Sequence, residues 1–140
     1  MSPLNSLVGS TANDRAGGPA ASRGVAALTN GNYVVRSPLW DGVAADVGAA
    51  TWASGASGTS GTINASNSLV GSTLNDQVGA TGVTALTNGN YVVLSRTWDG
   101  SAVDVGAATW GSGTSGVSGV VSVSNSLVGS TRSRLSRRTR

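Results

Sequence analysis

Among its 140 residues the chain has no Cys, His, Lys, Glu or Phe. Without Cys and His there are no disulfides, no thiol or imidazole catalysis, and none of the usual zinc, haem or iron–sulfur ligand sets. Without Lys there is no P-loop and no Schiff base. Only 11% of residues are charged and 4% aromatic. No run approaches the roughly 18–20 apolar residues of a membrane-spanning helix. Met1-Ser2-Pro3-Leu4 has neither a basic nor an apolar leader pattern, so no signal peptide is visible. The expectation is a non-enzyme, with no catalytic residue, no cofactor and no metal.

What is present is Gly (21 residues), Ser, Thr, Val, four Trp and two Tyr. All cations are Arg and all anions Asp, with a formal net charge of +3. Five of the nine basic residues fall in the last nine positions: Arg132, Arg134, Arg137, Arg138 and Arg140. The rest is slightly acidic, so body and tail must be read separately.

The body is a repeat. Asn-Ser-Leu-Val-Gly-Ser-Thr stands at 5–11, 67–73 and 125–131. Ala-Leu-Thr-Asn-Gly-Asn-Tyr-Val-Val, Trp-Asp-Gly and Asp-Val-Gly-Ala-Ala-Thr-Trp each occur twice, 58 residues apart. Segments 24–66 and 82–124 share 30 of 43 residues. The expected organisation is a leader at 1–4, repeat units at 5–66 and 67–124, the start of a third at 125–131, and a basic disordered tail at 132–140. All aromatics and all Asp recur in register: Tyr33 with Tyr91, Trp40 with Trp98, Trp52 with Trp110, Asp14 with Asp76, Asp41 with Asp99, Asp46 with Asp104.

Strand formers dominate and no 3.6-residue apolar stripe appears. In the second copy the spacing predicts strands at Gly82–Thr87, Asn90–Trp98 and Ala102–Trp110, and one running from Val117 through to Val128. Asn88-Gly89 suits a type I′ hairpin turn. In the first copy Pro38 falls within the second strand, marking an edge or bulge. The fold class expected is all-β, as two tandem four-stranded antiparallel meanders resembling β-propeller blades. A β-solenoid or stacked β array is the alternative.

Several side chains are candidates for chemistry. Trp40, Trp52, Trp98 and Trp110 could stack on a sugar, although each unit also needs them to fill its interior. Asp41, Asp46, Asp99 and Asp104 flank Gly turns, where bonding to backbone N–H groups competes with a weak Ca²⁺ site. Gly111-Ser-Gly113-Thr-Ser-Gly116 matches G-x-G-x-x-G, but a Val-rich strand follows where a dinucleotide site requires a helix; a flexible inter-strand loop is the simpler reading. The Arg tail could contact a polyanion or an anionic surface through charge alone, without specific nucleic-acid recognition.

The run 83–93 (Val-Thr-Ala-Leu-Thr-Asn-Gly-Asn-Tyr-Val-Val), with Trp-Asp-Gly, Gly-Ala-Ala-Thr-Trp and Asn-Ser-Leu-Val-Gly-Ser, resembles a bacterial tandem repeat of unknown function. That repeat is found in long arrays in large secreted proteins of filamentous-haemagglutinin type. The resemblance covers 5–131 and implies an extracellular or cell-surface structural array with an adhesive role. It brings no catalytic residues. A carbohydrate-binding propeller closed by oligomerisation is an alternative. Two units do not close a ring, so a homo-oligomer or neighbouring repeats of a longer chain are the expected partners. The abrupt end of the repeat at Thr131 predicts a frame-shifted fragment. Read one base later, ACG CTC for Thr-Leu begins Arg-Ser, which is Arg132-Ser133. Downstream DNA without further repeats in another frame would refute this.

Overall fold

The computed structural model describes residues 1–18 and 24–131. All its helix-or-strand elements are strands: β1 (Leu7–Val8), β2 (Val25–Ala27), β3 (Tyr33–Ser37), β4 (Ala49–Ala53), β5 (Gly61–Thr62), β6 (Leu69–Val70), β7 (Gly82–Ala85), β8 (Tyr91–Ser95), β9 (Ala107–Gly111), β10 (Gly119–Val120) and β11 (Leu127–Val128). The chain is all-β, and no closed barrel forms among the described residues.

Each repeat lays down an antiparallel meander, β2-β3-β4 or β7-β8-β9. Tyr-Val-Val at the start of β3 and β8 supplies the aromatic and β-branched residues that a pleated surface favours. Matching registers place Val34 opposite Trp52 and Val92 opposite Trp110. A fourth strand, drawn from the start of the following unit and grouped with the sheet and repeat it closes, joins antiparallel to the third: β6 on β4, β11 on β9.

Beyond that the two sheets differ. The first has five strands, in the order β10-β6-β4-β3-β2. Its fifth strand, β10, comes from the second repeat and runs parallel to β6, with Gly119 opposite Leu69 and Val120 opposite Val70. β5 makes the same parallel pair with β1 one repeat earlier, Gly61 opposite Leu7 and Thr62 opposite Val8. Each repeat thus sends one short strand back to the sheet before it. The second sheet, β11-β9-β8-β7, has only four strands.

The second sheet is thus the expected four-stranded antiparallel meander, and the first adds one parallel strand to it. The stretch expected as one strand from Val117 to Val128 is two strands in different sheets. Asn125 breaks it: its Oδ1 accepts from Ser122 N (3.0 Å) and its Nδ2 donates to Val120 O (3.0 Å). That side chain offers the backbone a turn in place of a ladder. Asn67 turns the first copy in the same way, at Asn64 and Thr62. Pro38 lies just past the end of β3, not within it. The third strand begins at Ala107, because Asp99–Gly106 forms a loop. In it Asp99 Oδ1 accepts from Asp104 N (2.9 Å) and Gly106 N donates to Trp98 O (3.0 Å).

The hairpin turns also differ from type I′, which requires positive φ at both central residues. Only the glycines show it, Gly31 at 92° and Gly89 at 94°. Gly31 N donates to Leu28 O and Leu28 N to Asn32 O, a type I turn closed by a left-handed glycine. Within the loop Asn30 Oδ1 accepts from Asn32 N.

The two sheets share a core. The main core joins Val34, Ala50 and Leu69 of the first sheet to Val78, Tyr91, Val93 and Ala107 of the second repeat. A smaller cluster of Trp40, Val47, Ala49, Ile63 and Val70 lies against Leu7. Strand alternation sorts the faces. Tyr91, Val93 and Ser95 are buried and face the preceding repeat, while Val92 and Leu94 are half-exposed. In β3 the pattern is displaced by one: Val34 and Arg36 are buried, and Tyr33 and Val35 half-buried.

Candidate functional site

Among the described residues the most developed polar arrangement is the junction between the two repeats. Its centre is the carbonyl of Gly113, in the turn after β9. Three donors of the first repeat reach it: Asn32 Nδ2 at 2.7 Å, Asn30 Nδ2 at 2.8 Å and Trp52 Nε1 at 3.0 Å. Asn32 is forked between neighbours. Its Oδ1 accepts from Gly55 N of its own repeat (2.9 Å) while its Nδ2 serves Gly113 of the next. Asn90 repeats the inner half of that fork, accepting from Gly113 N at 2.9 Å. Thr29 Oγ1 adds a bond to Leu86 O at 3.0 Å.

The linker entering the second repeat makes a further set of bonds. Val78 N donates to Val47 O (3.0 Å) and Gln77 N to Asp46 O (3.0 Å). Val78 stands in a parallel bridge with Gly48 and is fully buried. A Cβ on Gly48, at φ +78°, would stand 2.3 Å from Val78 N, so glycine is what lets the linker approach. The Arg36 guanidinium, itself buried, donates from NH1 to Gly79 O (2.8 Å) and Ala80 O (3.3 Å).

The carboxylates hold turns. Asp76 Oδ2 accepts from Ser72 N and Thr73 N, and Oδ1 from Asp99 N (2.9 Å). Asp14 does the same at Ser10, Thr11 and Asp41. Burial alone would raise the Asp14 carboxyl; the bonds from Thr11, Asp41 and Ser10 together outweigh it and hold the pKa below the usual carboxylate range. Burial pushes the Tyr91 hydroxyl up to about 12, against a bond from Val117 N–H that works the other way.

The sequence candidates scatter. Trp40 and Trp98 are 7% and 6% exposed, inside the two core clusters, each with a buried Nε1 that meets no partner among the described residues. Trp52 is half-buried at the junction, and Trp110, its counterpart, is 54% exposed. Asp41 and Asp99 each spend Oδ1 on the N–H five residues on, at Asp46 and Asp104. Among the described residues no three acidic groups gather where they could hold a metal. The glycine-rich stretch 111–116 is a closed turn, with Gly116 N on Ser112 O at 2.7 Å. It leads into β10, and its acceptor is spent on the first repeat. Arg132, Arg134, Arg137, Arg138 and Arg140 lie outside the described residues, as do residues 19–23. No helix among the described residues is long and apolar enough to cross a membrane.

Sequence reasoning missed Asn30, Asn32 and Arg36 as junction residues. For the asparagines the signal was present: Asn-Gly-Asn stands in both copies, and a turn needs only the first Asn. Arg36 had no signal, since Leu94 takes its place in the second copy.

A family model described as a repeat of unknown function (DUF5650) matches residues 1–18, 27–80 and 85–135. No curated protein and no solved structure matches the chain.

Proposed function

The chain belongs to the repeat family of unknown function DUF5650, and from that premise we propose that it is a non-enzymatic structural segment of a larger secreted or cell-surface protein. Its work is to extend a stack of sheets in which each repeat completes the one before. The observation that carries this is the strand β10, given by the second repeat to the first sheet and locked there by the Gly113 carbonyl. A chain whose best-formed polar cluster joins repeat to repeat is built for continuity. The carboxylates of Asp14, Asp41, Asp76 and Asp99 fit the same reading, being spent on backbone N–H groups. The cell exterior is supported by the wording of the repeat, which resembles arrays in large secreted proteins.

The test is one substitution made at two equivalent positions. Asn32→Asp keeps the oxygen that holds Gly55 N but sets a carboxylate oxygen against the Gly113 carbonyl. Asn90→Asp makes the same change where the described residues offer no carbonyl. At micromolar chain, Asn32→Asp is expected to cost about 1–3 kcal/mol of stability in thermal or denaturant unfolding. Asn90→Asp should leave it within about 0.5 kcal/mol. Equal effects would remove the junction as the organising feature.

A further inference from the structure

Apart from Arg36, whose place Leu94 takes, the side chains that the first repeat uses to receive the second have counterparts on the second repeat. There, the described residues leave those groups open. Asn88 and Asn90 match Asn30 and Asn32, and neither Nδ2 meets a partner among the described residues. Trp110 matches Trp52 and is 54% exposed. Leu127 matches Leu69 and is 80% exposed against 0%. Beside it lies an open depression of about 580 Å³ whose lining includes Leu94, Val105, Gly106 and Val128. It covers the ground matching that on which Val78 lies in the first repeat.

The complementary surface is present on the same chain. The turn at Gly55 is built like that at Gly113, its N–H held by Asn32 as Gly113 N–H is held by Asn90. Its carbonyl meets no donor among the described residues. Residues 5–11 carry the same seven residues as 125–131, and β1 holds against β5 the register that β6 holds against β10. Residues 12–18 then supply what should follow. Asp14 stands where the repeat has Asp76, and Gly17 where it has Gly79, whereas position 134 is Arg.

Resting on the stacking reading above, we infer that the open face of the second repeat receives a second copy of this chain through that copy's N-terminal face. The segment 5–18 of the incoming copy takes the place of 125–131, because both claim one position. Its Leu7–Val8 strand then pairs with β9, and its Gly55 carbonyl accepts from Asn88, Asn90 and Trp110. The interface is head-to-tail, so it propagates into open chains and does not stop at a pair.

Sedimentation velocity of the intact chain, from about 1 μM to about 1 mM, tests this. A concentration-dependent series of oligomers is expected. Asn90→Asp and Trp110→Ala should each weaken association at least tenfold with unchanged far-UV circular dichroism. Asn90→Asp retains the N-terminal face, so adding it to wild-type chains should shorten their assemblies. A wild-type chain that stays monomeric to about 1 mM overturns the inference, including one whose Trp110 fluorescence answers to added oligosaccharide instead. So does association that neither variant weakens, or that Asn90→Asp fails to shorten. Any of these results, with Asn32→Asp still destabilising the monomer, leaves the stacking reading intact. Failure of the Asn32→Asp effect removes that reading instead.

Discussion

Leu69 and Leu127 sit in the same seven-residue sequence, on equivalent strands, one repeat apart. One is fully buried and the other 80% exposed. Val70 and Val128, Val47 and Val105, Trp52 and Trp110 differ in the same sense. Nothing local distinguishes them. The difference is that residues 74–121 follow Leu69 and lie over it. Burial in this fold is therefore a property of what the next repeat supplies, as expected of quasi-one-dimensional arrays in which neighbours share a core.

Matched substitutions can break or sharpen that contrast. The largest effect is expected at the glycines where the linker arrives. Gly48→Ala should cost about 3 kcal/mol or more, because its Cβ would press on the Val78 backbone. Gly106→Ala has nothing nearer than 3.3 Å, so it carries mainly the cost of its φ of +79°, about 1–2 kcal/mol. Chemical denaturation of both variants measures the difference.

Leu69→Ala should come next, at about 2–5 kcal/mol for a buried leucine. Leu127→Ala, already in water, should fall within about 0.5 kcal/mol. If the two leucines cost the same, the second repeat does not cover the first in solution.

A further effect is alkaline. Tyr91 lies in the shared core, and its folded pKa of about 12 exceeds the ordinary value of 10.0. Between those values the unfolded chain releases a proton that the folded chain keeps, so stability falls as pH rises from about 10 to 12. Tyr91→Phe should remove this loss, seen as a flatter denaturation midpoint over that window.

Much of the fold was legible in the sequence. The 58-residue period and the meander strands follow from the repeated strings, the strand formers and the turn residues. The fifth strand was not. Gly61-Thr62 and Gly119-Val120 are too short to carry a pattern, and parallel pairing to a strand about 50 residues away leaves no local trace. The junction was half legible. The second Asn of Asn-Gly-Asn was visible, but its partner Gly113 is one glycine among 21, and a carbonyl acceptor has no residue signature. Trp52 and Trp110 look identical in sequence because their difference lies in the neighbouring repeat.

The central claim is that the first sheet takes its fifth strand from the second repeat, through Gly119 N on Ser68 O and Val121 N on Val70 O, both at 3.0 Å. Amide hydrogen exchange of the intact chain reads those two N–H groups directly. The account predicts that Gly119 and Val121 exchange as slowly as the β8 amides, and that Leu69→Ala releases them. Exchange of Gly119 and Val121 as fast as the exposed turn at Thr114–Ser115 would contradict it.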